Sequence, residues 1–490
     1  MLNPILSTDT ASSNIHGRTN LGLVRTDEQN MISPALAESW QWLPETLTYR
    51  FHLFHNVLWH DGVPFTAHDV KFTYDTIMHA DYDGPRKPVT SAISEIVVLD
   101  DHTVDFRLMS PAAAFLFSNS GIGVIPRHIF ADVPVREMRA HSFSRHPIGT
   151  GPYRFVRWET GLVELVANPH FHLEGPYIAR VIVRTFADLN VMQAAFEAGE
   201  IDWFGGVPLG HIDRLQREMA GRAYFVERPN HGYDYISLNL TNPILSDLRV
   251  RHALKYALDR QQMLNTAVVR GQVVHGHQIP TSWAHNPNLY TYAHNVEKAK
   301  ALLDQAGWLV PEGSSDGVRA KDGQRLSLRI MTNAGNPIRM QIIHMAESYW
   351  EKIGVEVNPE IIEWSVMLDR FSRADYDMTI IGWSLGLDPD PFSMFHSSQA
   401  DMNANGVIEG FNRGQFRNAE VDRLIEQGRI TKDVAERRRI YQEVDVILNA
   451  ELPYIWLFQR SVMNAISNRL QGVVWSPTWA IFPERWYVVD

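Results

Sequence analysis

The chain contains no cysteine among its 490 residues. This absence excludes disulfide frameworks, thiolate zinc sites, iron–sulfur clusters and cysteine nucleophiles. A secreted protein of this length does not need disulfides, because its core is large enough for stability. The absence is therefore compatible with an extracytoplasmic protein but does not establish one.

Long apolar runs are also missing. No stretch approaches the roughly 18 residues that a membrane-spanning helix needs, and the longest candidates, such as residues 112–117, have the size of core segments. The first four residues lack the basic and apolar regions of a signal peptide. The sequence leaves two readings: a cytoplasmic protein, or a mature form that begins with a replacement methionine.

Basic residues are in deficit, with 45 Lys and Arg against 56 Asp and Glu and a formal net charge of −11. Contacts to nucleic-acid phosphates and attachment to anionic lipid both need a basic surface. We therefore expect neither partner. At 490 residues the chain exceeds one hydrophobic core, which predicts two or three domains.

One enzyme signature matches by letter, the G-x-S-x-G pattern of Gly382, Ser384 and Gly386 after a strand-like segment. A nucleophile elbow needs a helix directly after its serine. Pro389 and Pro391 prevent such a helix here, so we reject the hydrolase hypothesis and expect no enzyme. Walker and dinucleotide glycine loops are missing too, and we expect no cofactor.

The chain has 21 histidines, and its closest pairs are His275 with His277 and His52 with His55. Neither pair lies in an H-E-x-x-H motif, and no cysteine can complete a tetrahedral set. We interpret both pairs as surface or strand histidines and predict no metal site.

Strand and helix patterns alternate along the chain, which indicates an α/β plan. A helix is predicted over residues 65–78, with Thr66 as its N-cap and Asp69 in its first turn. The other long helical patterns cover residues 247–266, 339–353, 419–427 and 434–448.

Four blocks in order resemble family 5 extracellular solute-binding proteins, the dipeptide, oligopeptide and nickel receptors of ABC importers. The blocks are residues 34–70 (with LAESW, YRFHL and WHDGVPFTAHDV), 149–169 (GTGPY to NP), 239–260 (with DLRVRHA and ALDR) and 376–390 (YD, GW and DPD). Because the blocks span most of the chain, together they are far more specific than any one alone.

The resemblance implies an α/β fold of the periplasmic-binding-protein type (cluster C), with two lobes joined by crossover strands that close on a solute. Domain I would comprise residues 1–33, 150–232 and 462–490. Domain II, residues 34–149, would be an insertion in the first lobe, and domain III, residues 233–461, the second lobe. The implied partners are a small-molecule ligand and the permease subunits of an importer. We expect a periplasmic or extracytoplasmic monomer, free or lipid-anchored.

For the ligand site we name Trp383 first, as a flat apolar wall, although a core tryptophan is an equal alternative. The other candidates are Trp364, Asn333, Asp388, His396 and Asn412. Each of these five has a structural alternative as well.

Peptide-binding relatives hold the peptide amino terminus with an aspartate after the Gly-Trp pair, and the dipeptide branch holds the carboxylate with an arginine before an Asn-Pro pair. Neither residue is present after Trp383 or before Asn336. A buried charge without its counter-charge is costly, which argues against an ordinary dipeptide. We therefore predict a modified peptide, glycoside or opine. The alternatives are a nickel-chelate receptor and a chemosensory protein of the same fold.

Overall fold

A computed structural model describes residues 1–7, 10–118, 121–186, 188–408, 410–477 and 479–489. The chain divides into two compact units. Unit 1 comprises Met1–Arg228 and Met463–Asp490, and unit 2 comprises Pro229–Val462. The chain therefore passes between the units twice.

Unit 1 is built mainly from antiparallel strands and short helices. Its α-helices are Thr10–Thr19, Ala67–Met78, Phe115–Ser118, Arg127–Phe130, Leu189–Glu197 and Ile212–Glu218, and short 3-10 helices connect other segments. Its strands are Val24–Thr26, Ile32–Pro34, Ala37–Leu43, Thr48–Leu53, Ile93–Asp100, Thr103–Leu108, Tyr153–Glu159, Leu162–Ala167, Arg180–Arg184, Trp203–Gly205, Leu470–Gln471, Val474–Trp475, Ala480–Ile481 and Tyr487–Val488. Strands Ala223–Pro229 and Tyr454–Ser467 cross the boundary between the units.

The predicted helix near residue 65 is confirmed as Ala67–Met78, preceded by Thr66 as its N-cap. The Asp69 carboxylate accepts hydrogen bonds from the backbone N–H groups of Thr66 (2.9 Å) and Arg127 (2.9 Å). The first backbone N–H groups of a helix have no acceptor within the helix, so they need acceptors such as this carboxylate. Thr66 and Asp69 are thus structural residues, as the helix-start pattern indicates.

Unit 2 contains longer helices around a mixed sheet. Its helices are Leu248–Ala257, Arg260–Met263, the π-helix Leu264–Val268, Val296–Gln305, Pro337–Glu351, Trp364–Ser372, Phe392–Phe395, Ala419–Ile430 and Val434–Glu451. Its strands, besides the two that cross the boundary, are Gly232–Leu238, Gly271–Val273, Ala320–Lys321, Gln324–Arg325, Ser327–Asn333, Glu356–Ile362 and Met378–Ser384.

The unit 2 sheet has strand Gly232–Leu238 at its centre, with all seven residues buried. This strand pairs antiparallel with Tyr454–Ser467 on one side and Met378–Ser384 on the other. Ser327–Asn333 and Glu356–Ile362 continue the sheet in parallel pairing. The strands are rich in β-branched and aromatic residues, which suits a sheet buried on both faces.

The helix predicted over residues 247–266 is wrong as one element, because the chain breaks it at Leu258. Leu258 is extended (φ −85°, ψ 119°), and a second helix starts at Arg260. The Asp259 carboxylate accepts the Gln262 N–H at 2.9 Å and caps that second helix. Apolar periodicity continues across the break at Leu258, so the sequence pattern does not reveal that the helix ends there.

In the described part of the chain, no helix combines the length and apolar character needed to cross a bilayer.

Candidate ligand-binding site

Strand Met378–Ser384 positions the candidate site of unit 2. Its first four residues are buried, whereas Trp383 is half-buried and Ser384 exposed at the carboxyl end. In the antiparallel pairing, Trp383 lies opposite Tyr233. The strand therefore carries one large aromatic side chain from the core to the surface of unit 2.

Trp383 lies in an aromatic group. Its ring stacks on Tyr235 with centroids 6.2 Å apart and an interplanar angle of 11°, and it meets Phe411 edge to face at 5.0 Å. Tyr235 in turn stacks on Tyr454 at 4.1 Å. Phe411 remains 42% exposed. Trp383 is thus partly packed and partly accessible, and its role as a wall of the ligand site stays a prediction.

Gly382, one residue earlier, lies against a charged cluster. A Cβ there would lie 2.8 Å from Arg339 Nη2 and 2.9 Å from Asp234 Oδ1, so a side chain at residue 382 would displace these two groups. Asp234 pairs with Arg339 (Nε to Oδ1, 3.2 Å) and with Arg460. Arg339 also donates through Nη1 to Asn333 Oδ1 at 3.1 Å. The cluster therefore brings Asn333 to the same end of the sheet as Trp383.

Our sequence reasoning missed the cluster of Asp234, Arg339 and Arg460. One signal was available: Asp234 is the only acid in the strand pattern of residues 232–238, and an acid that is buried in a strand needs cationic partners. The partners could not be named, because Arg339 and Arg460 are 105 and 226 residues away along the chain.

Asp388, a predicted site residue, is held by Arg437 from helix Val434–Glu451. The two bonds are bidentate, Nη1 to Oδ2 at 2.6 Å and Nη2 to Oδ1 at 2.7 Å. The side chains of Arg437 and Asp388 are only 3% and 8% exposed. A ligand amine would have to displace a buried arginine to reach Asp388. Its ligand contact stays a prediction, while its structural role is clear.

A small cavity of about 40 Å³ lies beside this loop, large enough for water. Asp388 and Asp390 are the carboxylates among its described lining residues, and both already have arginine partners. Asp390 pairs with Arg429 at 3.1 Å, and burial raises the pKa of Asp390 to about 6. The loop therefore offers a ligand little free negative charge.

His396 and Asn412 are brought together, but chiefly to hold the backbone. Asn412 Nδ2 donates to the carbonyls of His396 (3.1 Å) and Phe416 (2.8 Å), and Asn412 Oδ1 accepts the Phe416 N–H at 3.0 Å. The His396 ring nitrogens contact Ser398 Oγ (2.8 Å) and Glu426 Oε1 (3.3 Å). These contacts fix the loop that presents Phe411. As ligand contacts, both residues stay predictions.

Trp364 begins helix Trp364–Ser372 and is 43% exposed. Glu363 caps this helix by accepting the Ser365 N–H at 2.7 Å. No ring contact between Trp364 and Trp383 occurs among the described residues. A contact between Trp364 and the ligand therefore stays a prediction, and the exposed position of Trp364 supports it.

A larger, open cavity of about 400 Å³ also lies in unit 2. It falls within the size range of small-molecule sites. It is lined by Ser398, Gln399, Asp401, Met402, Asn403 and Gly410. The lining is mainly polar, and Gly410 directly precedes the exposed Phe411 in the chain.

Two expectations about motifs can be checked directly. Ser384 is followed by non-helical chain until the helix Phe392–Phe395, so the serine has no nucleophile elbow, as predicted. The interpretation of His277 as a surface or strand histidine is wrong: it is buried in a loop, and its Nδ1 lies 2.9 Å from the Tyr233 hydroxyl. Within the described ranges, no group of three His, Cys, Asp or Glu residues could hold a metal ion.

His277 and Asp445 are expected to give stability opposite dependences on pH. Burial lowers the pKa of His277 to about 3 and raises that of Asp445 to about 7. Between pH 3 and 6.5, unfolding lets His277 take up a proton, so its contribution to stability falls as the pH falls. Between pH 4 and 7, unfolding releases the Asp445 proton, so that contribution falls as the pH rises.

Urea unfolding from pH 4 to 7.5 tests this pair. Relative to the parent protein, His277→Gln should gain stability as the pH falls, and Asp445→Asn should gain stability as the pH rises. Each single-group slope should approach about 1.4 kcal/mol per pH unit. Parallel profiles for both variants and the parent would contradict the assignment.

Comparison with known proteins identifies the family. The family model described as bacterial extracellular solute-binding proteins, family 5 Middle, matches residues 31–405. The oligopeptide-binding protein AppA of Bacillus subtilis is 30% identical over 498 residues, covering 100% of this chain and 89% of AppA. The dipeptide-binding protein of Escherichia coli is 26% identical over 469 residues, covering 91% of this chain and 84% of its own length.

Solved structures agree over the full length. AppA from Bacillus subtilis, in complex with a nonapeptide, is similar with a TM-score of 0.77 and 29% identity, covering 100% of this chain and 96% of that one. NikZ from Campylobacter jejuni, in complex with Ni(L-His), is similar with a TM-score of 0.79 and 29% identity. The match covers 99% of this chain and 97% of the NikZ chain. The α/β fold of the cluster C binding proteins, predicted from the resemblance, is confirmed. The chain belongs to the family 5 bacterial extracellular solute-binding proteins, and it is a substrate-binding protein of an ABC transporter and not an enzyme.

Proposed function

We propose that this protein captures a small peptide-like solute at the Trp383 surface of unit 2 and delivers it to the membrane subunits of an importer. The observation that carries the proposal is the full-length likeness to AppA, whose structure holds a nonapeptide. The partly exposed Trp383 and Phe411 rings support it, because aromatic walls are common in small-molecule sites.

The charges of unit 2 favour a modified peptide, a glycoside or an opine over an ordinary dipeptide. Asp388 and Asp390, the first acids that follow the Gly382–Trp383 pair in sequence, are paired with Arg437 and Arg429. An incoming ammonium group would have to break one of these pairs. The Asp388–Arg437 pair is buried, so breaking it would leave a charge in the interior without a partner, which costs about 3–5 kcal/mol.

A nickel chelate is a second candidate. The likeness to NikZ, whose structure holds Ni(L-His), favours it. Since the described residues contain no cluster of metal ligands, a chelator would have to supply most of the ligands to nickel. A chemosensory role for the same fold stays an alternative prediction.

The location and partners follow from the family. We propose a periplasmic or extracytoplasmic monomer that docks on permease subunits, because the family consists of extracellular solute-binding proteins. Closure of two lobes on the ligand and the three-domain division at residues 34, 150, 233 and 462 stay predictions from the resemblance.

A thermal-shift screen of the ligand-stripped protein tests the proposal, with di- to pentapeptides, oligosaccharides, opines and Ni²⁺ chelates. A ligand at 100 times its Kd should stabilise the native state by about 2.7 kcal/mol. Trp383→Ala should weaken binding by about 30-fold or more. The stabilisation at the same ligand concentration should then fall to about 0.9 kcal/mol or less.

Trp158→Ala is a matched control, since Trp158 is a partly exposed tryptophan of unit 1 that packs against Arg145. Its ligand response should equal that of the parent protein. A hit among peptides that Trp383→Ala leaves unchanged would refute the site. The absence of any hit in the panel would refute the proposed class of solutes.

A further inference from the structure

The loop that follows Trp383 is held by His231 over its first residues. The Leu385 backbone N–H donates to the His231 carbonyl at 2.8 Å, and His231 Nε2 lies 2.9 Å from the Gly386 carbonyl oxygen. Within the described part of the chain, these are the two hydrogen bonds that residues 385–387 form. One residue therefore fixes the stretch of chain directly after the strand that carries Trp383.

Further along, the loop has other anchors. Arg437 binds the Asp388 carboxylate, and Gln278 Nε2 donates to the Pro389 carbonyl at 2.8 Å. His231 differs from these anchors in its place in the chain, because unit 2 begins only two residues before it. The start of the loop is thus attached to the segment by which the chain enters unit 2.

The hydrogen bonds of the His231 ring fix its tautomer. A carbonyl oxygen only accepts, so the Nε2 atom that contacts Gly386 carries the hydrogen. In the neutral ring Nδ1 is then an acceptor, and it lies 3.3 Å from the Thr281 hydroxyl, which donates to it. Burial lowers the pKa of His231, which favours the neutral ring. His231 therefore binds the loop on one side and Thr281 on the other.

Thr281 continues these hydrogen bonds to two chain segments at the boundary of unit 2. Its oxygen accepts from Gln459 Nε2 at 3.0 Å, and the same Nε2 donates its other hydrogen to the Asn230 carbonyl at 2.8 Å. Asn230 lies in the entry segment, residues 229–232, by which the chain enters unit 2. The fully buried Gln459 lies in the exit segment, residues 457–462, by which the chain leaves unit 2. Both segments are therefore joined to the loop.

The entry segment is also packed directly on the strand that carries Trp383. A Cβ on Gly232 would lie 1.9 Å from the Trp383 carbonyl oxygen, so a larger residue there would push the two strands apart. On its other side, the Asn230 N–H donates to the Arg460 carbonyl at 2.8 Å, within the exit segment. Closely packed groups transmit a displacement to their neighbours, because there is no free volume to absorb it.

We infer that His231 is a positioning residue of the solute site, because it ties the loop after Trp383 to the entry and exit segments. It acts on the solute through the loop, by holding the first loop residues, and not by a contact of its own. A solute that rests on the loop should then restrain both segments, since a ligand that rigidifies one part of a connected network restrains the rest. The inference rests on the proposed function and adds to it a residue that lies outside the motif around Trp383.

The first test needs no solute and measures amide hydrogen exchange in the ligand-free protein. His231→Leu removes the bond to Gly386, so exchange over residues 384–387 should become about 10-fold faster. His231→Gln keeps an N–H donor and an acceptor and should exchange at the parent rate. Unchanged exchange in His231→Leu would overturn the inference.

His252→Leu is the matched control. His252 is also a half-buried histidine of unit 2, and its Nε2 lies 2.8 Å from a backbone carbonyl oxygen, that of Ala450. This variant should leave exchange over residues 384–387 unchanged. Equal acceleration by His252→Leu would reveal a general loss of stability and would also overturn the inference.

The second test adds trialanine as the solute probe. In the parent protein, trialanine should slow exchange over residues 384–387 and in the exit segment. Thr281→Val removes the link to Gln459 but leaves the bond between His231 and the loop, so trialanine should still slow the loop and no longer the exit segment. Equal slowing of the exit segment in Thr281→Val and the parent would overturn the tie to that segment.

Calorimetry with trialanine separates positioning from direct contact. His231→Leu should bind about 10-fold more weakly than the parent protein, and His231→Gln within about twofold of it. A loss in His231→Gln as large as that in His231→Leu would mean that the imidazole itself contacts the solute, and would refute the positioning role.

The failures remain distinguishable. If the parent protein does not bind trialanine, the peptide-like solute of the proposed function fails for this probe, and exchange in the ligand-free variants still decides whether His231 holds the loop. If the parent and His231→Leu bind trialanine equally well, the proposed function survives and the positioning role is refuted.

Discussion

Replacing Asp388 by alanine should lower the free energy of unfolding by about 3–5 kcal/mol, as expected when one partner of a buried ion pair is removed. The Arg437 side chain is 3% exposed, and two of its nitrogens bond to Asp388 at 2.6 and 2.7 Å. Without the carboxylate, the guanidinium stays buried with only the Tyr441 hydroxyl and the Gly428 carbonyl. Urea unfolding at pH 7 measures the loss.

Two further variants test whether the loss of stability comes from the buried charge that is left without a partner. Glu436→Ala removes an exposed acid paired with Arg439 and should cost less than about 1 kcal/mol. The double variant Asp388→Asn, Arg437→Met removes both charges and should recover most of the stability. A loss for Asp388→Ala no larger than that for Glu436→Ala would mean that Asp388 is free to serve the ligand.

The second large effect is expected at Asp234, which balances two arginines. Asp234→Asn should also lower the free energy of unfolding by about 3–5 kcal/mol, because Arg339 and Arg460 then lie close together without a carboxylate. Arg339 packs 2.8 Å from the place a Cβ would take on Gly382, so its displacement should disturb the strand end that carries Trp383. We therefore expect a weaker ligand response as well.

Denaturant unfolding and the thermal-shift response are measured on the same variant. Asp369→Asn is the control, since Asp369 forms an exposed pair with Arg373 one helical turn away, worth about 0.5 kcal/mol. Asp234→Asn with Arg460→Met should regain part of the stability, because one arginine is removed. Full stability and full ligand response in Asp234→Asn alone would show that the cluster is not needed.

Local patterns predicted the elements whose limits depend on nearby residues. The helix start at Thr66 and Asp69 depends on a hydrogen bond over three residues. The helices predicted over residues 419–427 and 434–448 appear as Ala419–Ile430 and Val434–Glu451, each with an Asn or Asp cap. The single helix predicted over residues 247–266 is wrong for a local reason as well. Asp259 caps a new helix, and this cap outweighs the apolar periodicity that continues across it.

The site residues show where such reasoning stops. Trp383 and Asp388 were chosen by their place in a motif, and His396 and Asn412 by their residue type. Neither criterion says which atoms a side chain contacts. The Asp388 carboxylate is bound by Arg437, which lies 49 positions away in the chain, and the Asn412 amide is hydrogen-bonded to carbonyls of its own loop.

The sequence by itself determined the family, the α/β plan and the start of the principal helices, since these follow from ordered motifs and from hydrogen bonds between near neighbours. Only the tertiary structure decided which charges are balanced. The pairs Asp388–Arg437 and Asp234–Arg460 depend on which strands and helices lie side by side. The free energy of a buried charge depends on its partners in space, and residues far apart in the chain supply them.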